Sequence, residues 1–225
     1  MIPIRDTIPS QRTAWMVRLL VAVNVAAFLY ELRQGPHIDA FLNAYGLVPA
    51  YWSDGPAGPA EWLGIARALI TSQFLHGSLL HIASNMLYLW IFGDNVEDRL
   101  GPVRFLALYL ASGMAAGLTQ FIAGPHATVP MIGASGAIAG VLGAYFLLFP
   151  YSRIVTFVPL IITWRFIELP AFVFLGVWFV LQWAQGVTEL GRMADVGGVA
   201  WWAHIGGFLT GLAFVFGRRI TRRYA

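Results

Sequence analysis

Six stretches of the chain are nearly unbroken apolar runs, and the few polar positions inside them carry most of the information. The runs cover 15–30, 79–92, 105–122, 135–149, 169–183 and 199–216. A membrane-crossing helix needs about 20 mainly apolar residues, with about 17–25 tolerated, so each run predicts a spanning helix. Between Phe105 and Ser152 there is no Asp, Glu, Lys or Arg. A further apolar piece, IVTFVPLII at 154–162, contains Pro159 and is too short to cross. It is expected as an interfacial connector. The stretch 35–77 is expected as a long outer loop. Its Trp52 and Trp62 suit the headgroup zone, where an indole meets apolar and polar neighbours at once; a plain surface loop accounts for them equally.

Composition fits the same class. Of 225 residues, 58% are hydrophobic and 11% charged, and mean hydropathy is +0.68, whereas soluble domains carry about 25% charged residues. The fold class expected is an all-α polytopic membrane protein, a six-helix bundle forming one domain over residues 1–225. Its fourteen basic residues are all arginine. With six spans, eleven lie on the side of both termini: Arg5, Arg12, Arg18, Arg99, Arg104, Arg153, Arg165, Arg218, Arg219, Arg222 and Arg223. Three, Arg33, Arg67 and Arg192, lie on the other side. That bias predicts cytoplasmic termini. A net charge of +3, carried at helix ends, speaks for topology and against a nucleic-acid partner. The absence of cysteine excludes disulfides and thiolate chemistry. The N-terminal MIPIRDTIPSQR lacks the apolar core and small-residue cleavage site of a signal peptide. The last outer loop, GVTELGRMADVGG, has glycines near both ends that permit movement.

Strongly polar groups within a span are costly, and each is a functional hypothesis. His76, His81 and Asn85 fall at the start of the second run, Ser135 opens the fourth, and His204 lies early in the sixth. In a six-span topology these three helices run in the same direction. At about 1.5 Å per residue, their polar groups fall at similar depth near the outer ends, and can share a pocket. Gly136, Gly140 and Gly143 form one small-residue ladder, and Ala203, Gly207 and Gly211 another; such ladders let helices approach closely. His81 and Asn85, four apart, share a helix face. Packing serine and interhelical hydrogen-bonding histidine remain the plain alternatives for each residue alone. His76 and His81, five apart, make a poor metal pair, and HExxH is absent; no metal or cofactor is expected. GASGA also departs from the GxSxG hydrolase elbow at Ala137.

Taken together, RALITSQFLHGSLLHIASNMLYLWIFGDNVEDRLG, GASGAIAGVLGAY and WWAHIGGFLTG resemble the rhomboid family of intramembrane serine proteases. The resemblance runs over nearly the whole chain and implies a six-span rhomboid-like bundle. It implies Ser135 as nucleophile and His204 as base, with His81, Asn85 and the Ser135 backbone N–H as oxyanion donors. Gly133 matches the glycine that keeps the serine accessible. Gly136, Gly207 and His76 are supporting positions. Arg67 matches the arginine of a Trp-Arg loop motif whose tryptophan is here Ala66. A tyrosine that braces the histidine in some members is replaced by Ala139, so the sequence names no brace for His204. With no carboxylate at that depth, a Ser–His dyad is the expected machinery. The implied partners are a transmembrane-helix protein substrate and the lipid bilayer, with no nucleic acid. The implied location is the bacterial inner membrane, with the active site near its outer face. A non-proteolytic rhomboid-fold module that binds membrane helices is the alternative, and a small transporter the third reading.

Overall fold

The computed structural model describes residues 2–56, 58–159, 164–189 and 199–217. Strand β1 (Ile2–Asp6) leads into helix α1 (Trp15–Leu32). The 35–77 stretch is not a plain loop: it holds α2 (Ile38–Tyr45), α3 (Pro59–Thr71) and three short 3-10 turns. Then come α4 (Leu79–Leu100), α5 (Pro102–Ala123) and α6 (Ser135–Leu148), strands β2 (Arg153–Pro159) and β3 (Trp164–Pro170), α7 (Ala171–Glu189) and α8 (Trp201–Phe216). Every expected span is thus a helix. By length and composition α1, α5 and α7 are sufficient to cross a membrane, while α6 and α8 are shorter apolar helices. Helix α4 runs eight residues past its predicted end at 92, because Asp94, Glu97, Asp98 and Arg99 broke the apolar run without breaking the helix. It stops at Gly101, whose φ of +81° is a glycine conformation. The arginine-rich tail and most of the glycine-flanked last loop, Arg192 included, lie outside the described residues.

The all-α expectation needs correction. Strands β1, β2 and β3 form an antiparallel sheet in that order, with Phe157 opposite both Ile2 and Phe166. The expected connector is therefore a strand as far as Pro159, and 160–162 lie outside the described residues. Its β-branched Ile154, Val155, Thr156 and Val158 favour a pleated surface. Ile154 and Thr156 alternate inward and are fully buried. Proline is tolerated at the strand end because no ladder donor is required there.

Two carboxylates, buried Glu97 and half-buried Asp6, join these elements. Glu97 of α4 accepts hydrogen bonds from the Met16 and Val17 N–H groups at 3.0 and 2.8 Å. It satisfies two of the donors that the start of α1 leaves open, since Ala14 provides no side-chain cap. Asp6 of β1 accepts from the Tyr145 hydroxyl of α6 at 2.5 Å and from Asn95 of α4 at 2.7 Å. Burial, the larger influence there, pushes the Asp6 carboxyl up to about 6.

At the centre, α6 is buried continuously from Gly136 to Tyr145, between α5 and α8. A Cβ on Gly207 would fall on the Gly136 carbonyl oxygen, and one on Gly211 on that of Gly140. On the α5 side, a Cβ on Gly140 would fall on Ser112, and one on Gly136 on Ala116. The backbones touch, so the two ladders read from the sequence do pack together. In a lipid environment such contact rests on close van der Waals packing, because apolar burial alone does not distinguish helix from lipid.

Candidate active site

The segment leading into α6 is pinned before the serine is reached. Leu47 and Met131 exchange backbone hydrogen bonds at 3.1 and 2.8 Å, and the Gly133 N–H donates to the Ser72 carbonyl at 2.9 Å. Gly133 has φ +125°, and a Cβ there would strike His81 Nε2 at 2.7 Å. Glycine is required on both counts. Ser135 then opens α6, whose N-cap residue, Ala134, makes no side-chain cap. The helix dipole and the first N–H groups are thus directed towards the serine side.

His204 lies in the first turn of α8. Its Nε2 is hydrogen-bonded to Ser135 Oγ at 2.8 Å, across 69 residues of sequence. His81 sits beside Gly133, its backbone N–H capped by Ser78 Oγ at 3.1 Å. One turn further along α4, Asn85 is buried, and its Nδ2 has no hydrogen-bond partner among the described residues. An unmade bond at a buried amide donor costs stability; it is the kind of donor an oxyanion would satisfy.

His76 stands behind His81, ring against edge at 5.1 Å. Its backbone N–H donates to the Glu31 carboxylate at 3.0–3.1 Å, and its Nδ1 lies 3.3 Å from the Phe74 carbonyl. Burial, with the His81 ring nearby, holds the His76 pKa down to about 4, so its ring is neutral. Gly136 and Gly207 sit in the α6–α8 contact described above. Arg67 is not part of the cluster: it donates to the Ala44 carbonyl at 3.0 Å and covers the Tyr45 ring at 5.3 Å. It fastens α3 to α2.

One residue of the site escaped the sequence reading. Gln182 of α7 is buried, and its Oε1 lies 2.6 Å from His204 Nδ1. Trp178, one turn earlier on the same helix, lies over the imidazole with centroids 5.9 Å apart and planes at 35°. Both therefore contact the imidazole, from the neighbouring helix α7. The signal was present in the sequence, a glutamine inside the apolar run 169–183.

Beside Ser135 lies a cleft of about 20 Å³ bounded by Gly133, Gly136, Ala137, Ala200 and Ala203. A cavity of about 350 Å³ lies elsewhere, by Arg12, Arg18, Trp90 and Asp94, and contains none of these groups. Together, the geometry offers a hydroxyl, an imidazole bonded to it, and nearby donors in a buried setting. That combination is competent for acyl transfer.

Residues 60–220 match the family model described as Rhomboid domain. The chain is 30% identical over 203 residues to Rhomboid protein 1, mitochondrial, of Saccharomyces cerevisiae, covering 88% of this chain and 52% of that protein. It is 30% identical to the human Presenilin-associated rhomboid-like protein, mitochondrial, over 73% of this chain and 40% of that one. It is 35% identical over 127 residues to Rhomboid protease GluP of Bacillus subtilis, covering 56% of this chain and 23% of GluP. The chain thus spans about half or less of the length of these relatives. Two of the three carry mitochondrial names, so the bacterial inner membrane expected from the sequence is not supported.

Proposed function

The chain belongs to the rhomboid family, and on that premise we propose that it is an intramembrane serine endopeptidase cleaving peptide bonds in or near transmembrane segments of membrane proteins. The observation that carries this reading is the 2.8 Å hydrogen bond between Ser135 Oγ and His204 Nε2. In the proposed reaction His204 takes the hydroxyl proton as Ser135 attacks the scissile carbonyl, and later returns it to the leaving amine. Asn85 Nδ2, His81 and the Ser135 N–H supply preorganised donors to the oxyanion; removing one donor of this type typically costs about 2.7–4 kcal/mol. Water then hydrolyses the acyl-enzyme. The polar cluster near the helix ends of α4, α6 and α8 suits a reaction that needs water and a membrane-embedded substrate. In the same proposal the six long helices all span the bilayer as a single domain, with both termini on one side and the site near the opposite face.

The test is reaction of the purified protein with a fluorophosphonate serine probe, together with cleavage of a transmembrane reporter. Wild type is expected to label and to cleave; Ser135→Ala and His204→Ala are expected to do neither while remaining folded. Near-full cleavage by either variant would remove the dyad. Absence of labelling in folded wild type would favour a module that binds membrane helices without cutting them.

A further inference from the structure

We infer that Gln182 is the positioning residue that fixes the tautomer of His204, so that a hydrogen-bonded line runs Ser135–His204–Gln182 across three helices, with the proton moving only between the first two. The inference rests on the protease reading above and assigns that site a third member. A neutral imidazole carries one N–H, and the bond made at one nitrogen decides which nitrogen keeps the proton. Here Nδ1 faces the Gln182 Oε1 at 2.6 Å, and a carbonyl oxygen can only accept. Nδ1 therefore holds the proton, and Nε2 presents its lone pair to the Ser135 hydroxyl at 2.8 Å. The reverse tautomer would point an N–H at the nucleophile and leave it without a base.

The same contact serves the next stage. When His204 accepts the serine proton it becomes a cation in a buried place, where charge needs compensation. The Gln182 carbonyl dipole then faces the Nδ1–H of that imidazolium. Trp178, at 5.9 Å and 35°, offers the ring face that attracts a cation within about 6 Å. No carboxylate bonds His204 among the described residues, so the amide takes the place that a carboxylate holds in a Ser-His-Asp triad. Among the described residues, His81 on α4 is the other titratable side chain at this pocket, and it is unchanged in every variant below.

Three variants and one spectrum test this. Gln182→Leu keeps bulk but removes the acceptor. It is expected to lower kcat and the probe-labelling rate about tenfold or more, with KM and melting temperature near wild type. Gln182→Glu keeps an acceptor and adds charge. It is expected to retain activity while moving the acid limb of the kcat/KM–pH profile upward by about one pH unit. Ser135→Ala in each background is expected to be inactive. In ¹⁵N-histidine spectra of wild type at neutral pH, His204 is expected to be protonated at Nδ1, and this readout does not depend on any variant folding. A Gln182→Leu variant within twofold of wild type, an unmoved acid limb in Gln182→Glu, or an Nε2-protonated His204 would each overturn the inference and leave the Ser135–His204 reading standing. Folded wild type that neither labels nor cleaves would overturn both.

Discussion

The seam between α6 and α8 and the contact between α7 and α8 both hold His204, but they are built differently. Along the seam glycines bring backbone against backbone, so a shift of either helix meets a carbonyl within a fraction of an ångström. Helix α7 is anchored at its start, where Ala171, Phe174 and Leu175 are buried, and becomes sparse towards its end. From Val180 to Thr188 the buried residues are Gln182 and Gly186 alone. The difference separates two tasks. Distance between nucleophile and base is set by main-chain contact that has almost no slack, while orientation of the base is set by single side chains on a mostly exposed helix. In a site divided this way, change in the first region costs packing and rate together, while change in the second costs rate with the fold left standing.

The largest effect is expected from Gly207→Val. The Cβ it adds would fall on the Gly136 carbonyl. Overpacking a tight contact costs about 1–3 kcal/mol, and displacement near 1 Å costs on the order of 10²-fold in rate. Melting temperature and probe labelling of Ser135 should fall together, and an unchanged pair would mean that the seam is looser than the glycines imply. A smaller effect is expected from Gly186→Leu, where a Cβ would meet the Trp202 ring at 3.2 Å. Levering the end of α7 outward should slow labelling by about three- to tenfold, with melting temperature little changed. A large fall in melting temperature would show that α7 is as integral to the packing as α6. The smallest effect belongs to Asp6→Asn, which touches α6 only at its last turn, through Tyr145. The Asp6 pKa is raised from 3.8 to about 6, chiefly by burial, so the folded protein binds its proton more tightly than the unfolded chain. Its contribution to stability is full below about 4 and is lost as pH rises through about 6. Melting temperature against pH should show that decline in wild type and a flatter line in Asp6→Asn, with labelling rates equal where both are folded. A rate change in this variant would mean that the sheet end communicates with the site.

The helices and the site were legible in the sequence to different degrees. Apolar runs located six helices because a helix buried by protein or lipid on all sides shows itself in composition alone. Ser135 and His204 were legible as polar groups at matching depth, and the glycine ladders indicated which helices would meet. The sheet was not, because IVTFVPLII is apolar on both faces of the strand and hides the alternation that marks β structure. Its partner, IPIRD, is too short to read by period. Arg67 was legible as a loop-motif position, but its contacts were not: its side chain bonds the Ala44 carbonyl and covers the Tyr45 ring. Gln182 lay inside the expected run 169–183 and meets the rule that singled out Asn85, a strongly polar residue within a span.

The Glu97 carboxylate also says something about the order in which the protein is made. The N–H groups it satisfies belong to residues 80 and 81 positions earlier in the chain. At about 5–20 residues per second of synthesis, α1 waits on the order of 4–16 seconds before its cap exists. During that interval the start of the helix must rely on water or headgroups, so its first turn is the part most open to fraying in the nascent chain. Arrival of α4 closes that end, and only then is the first helix complete.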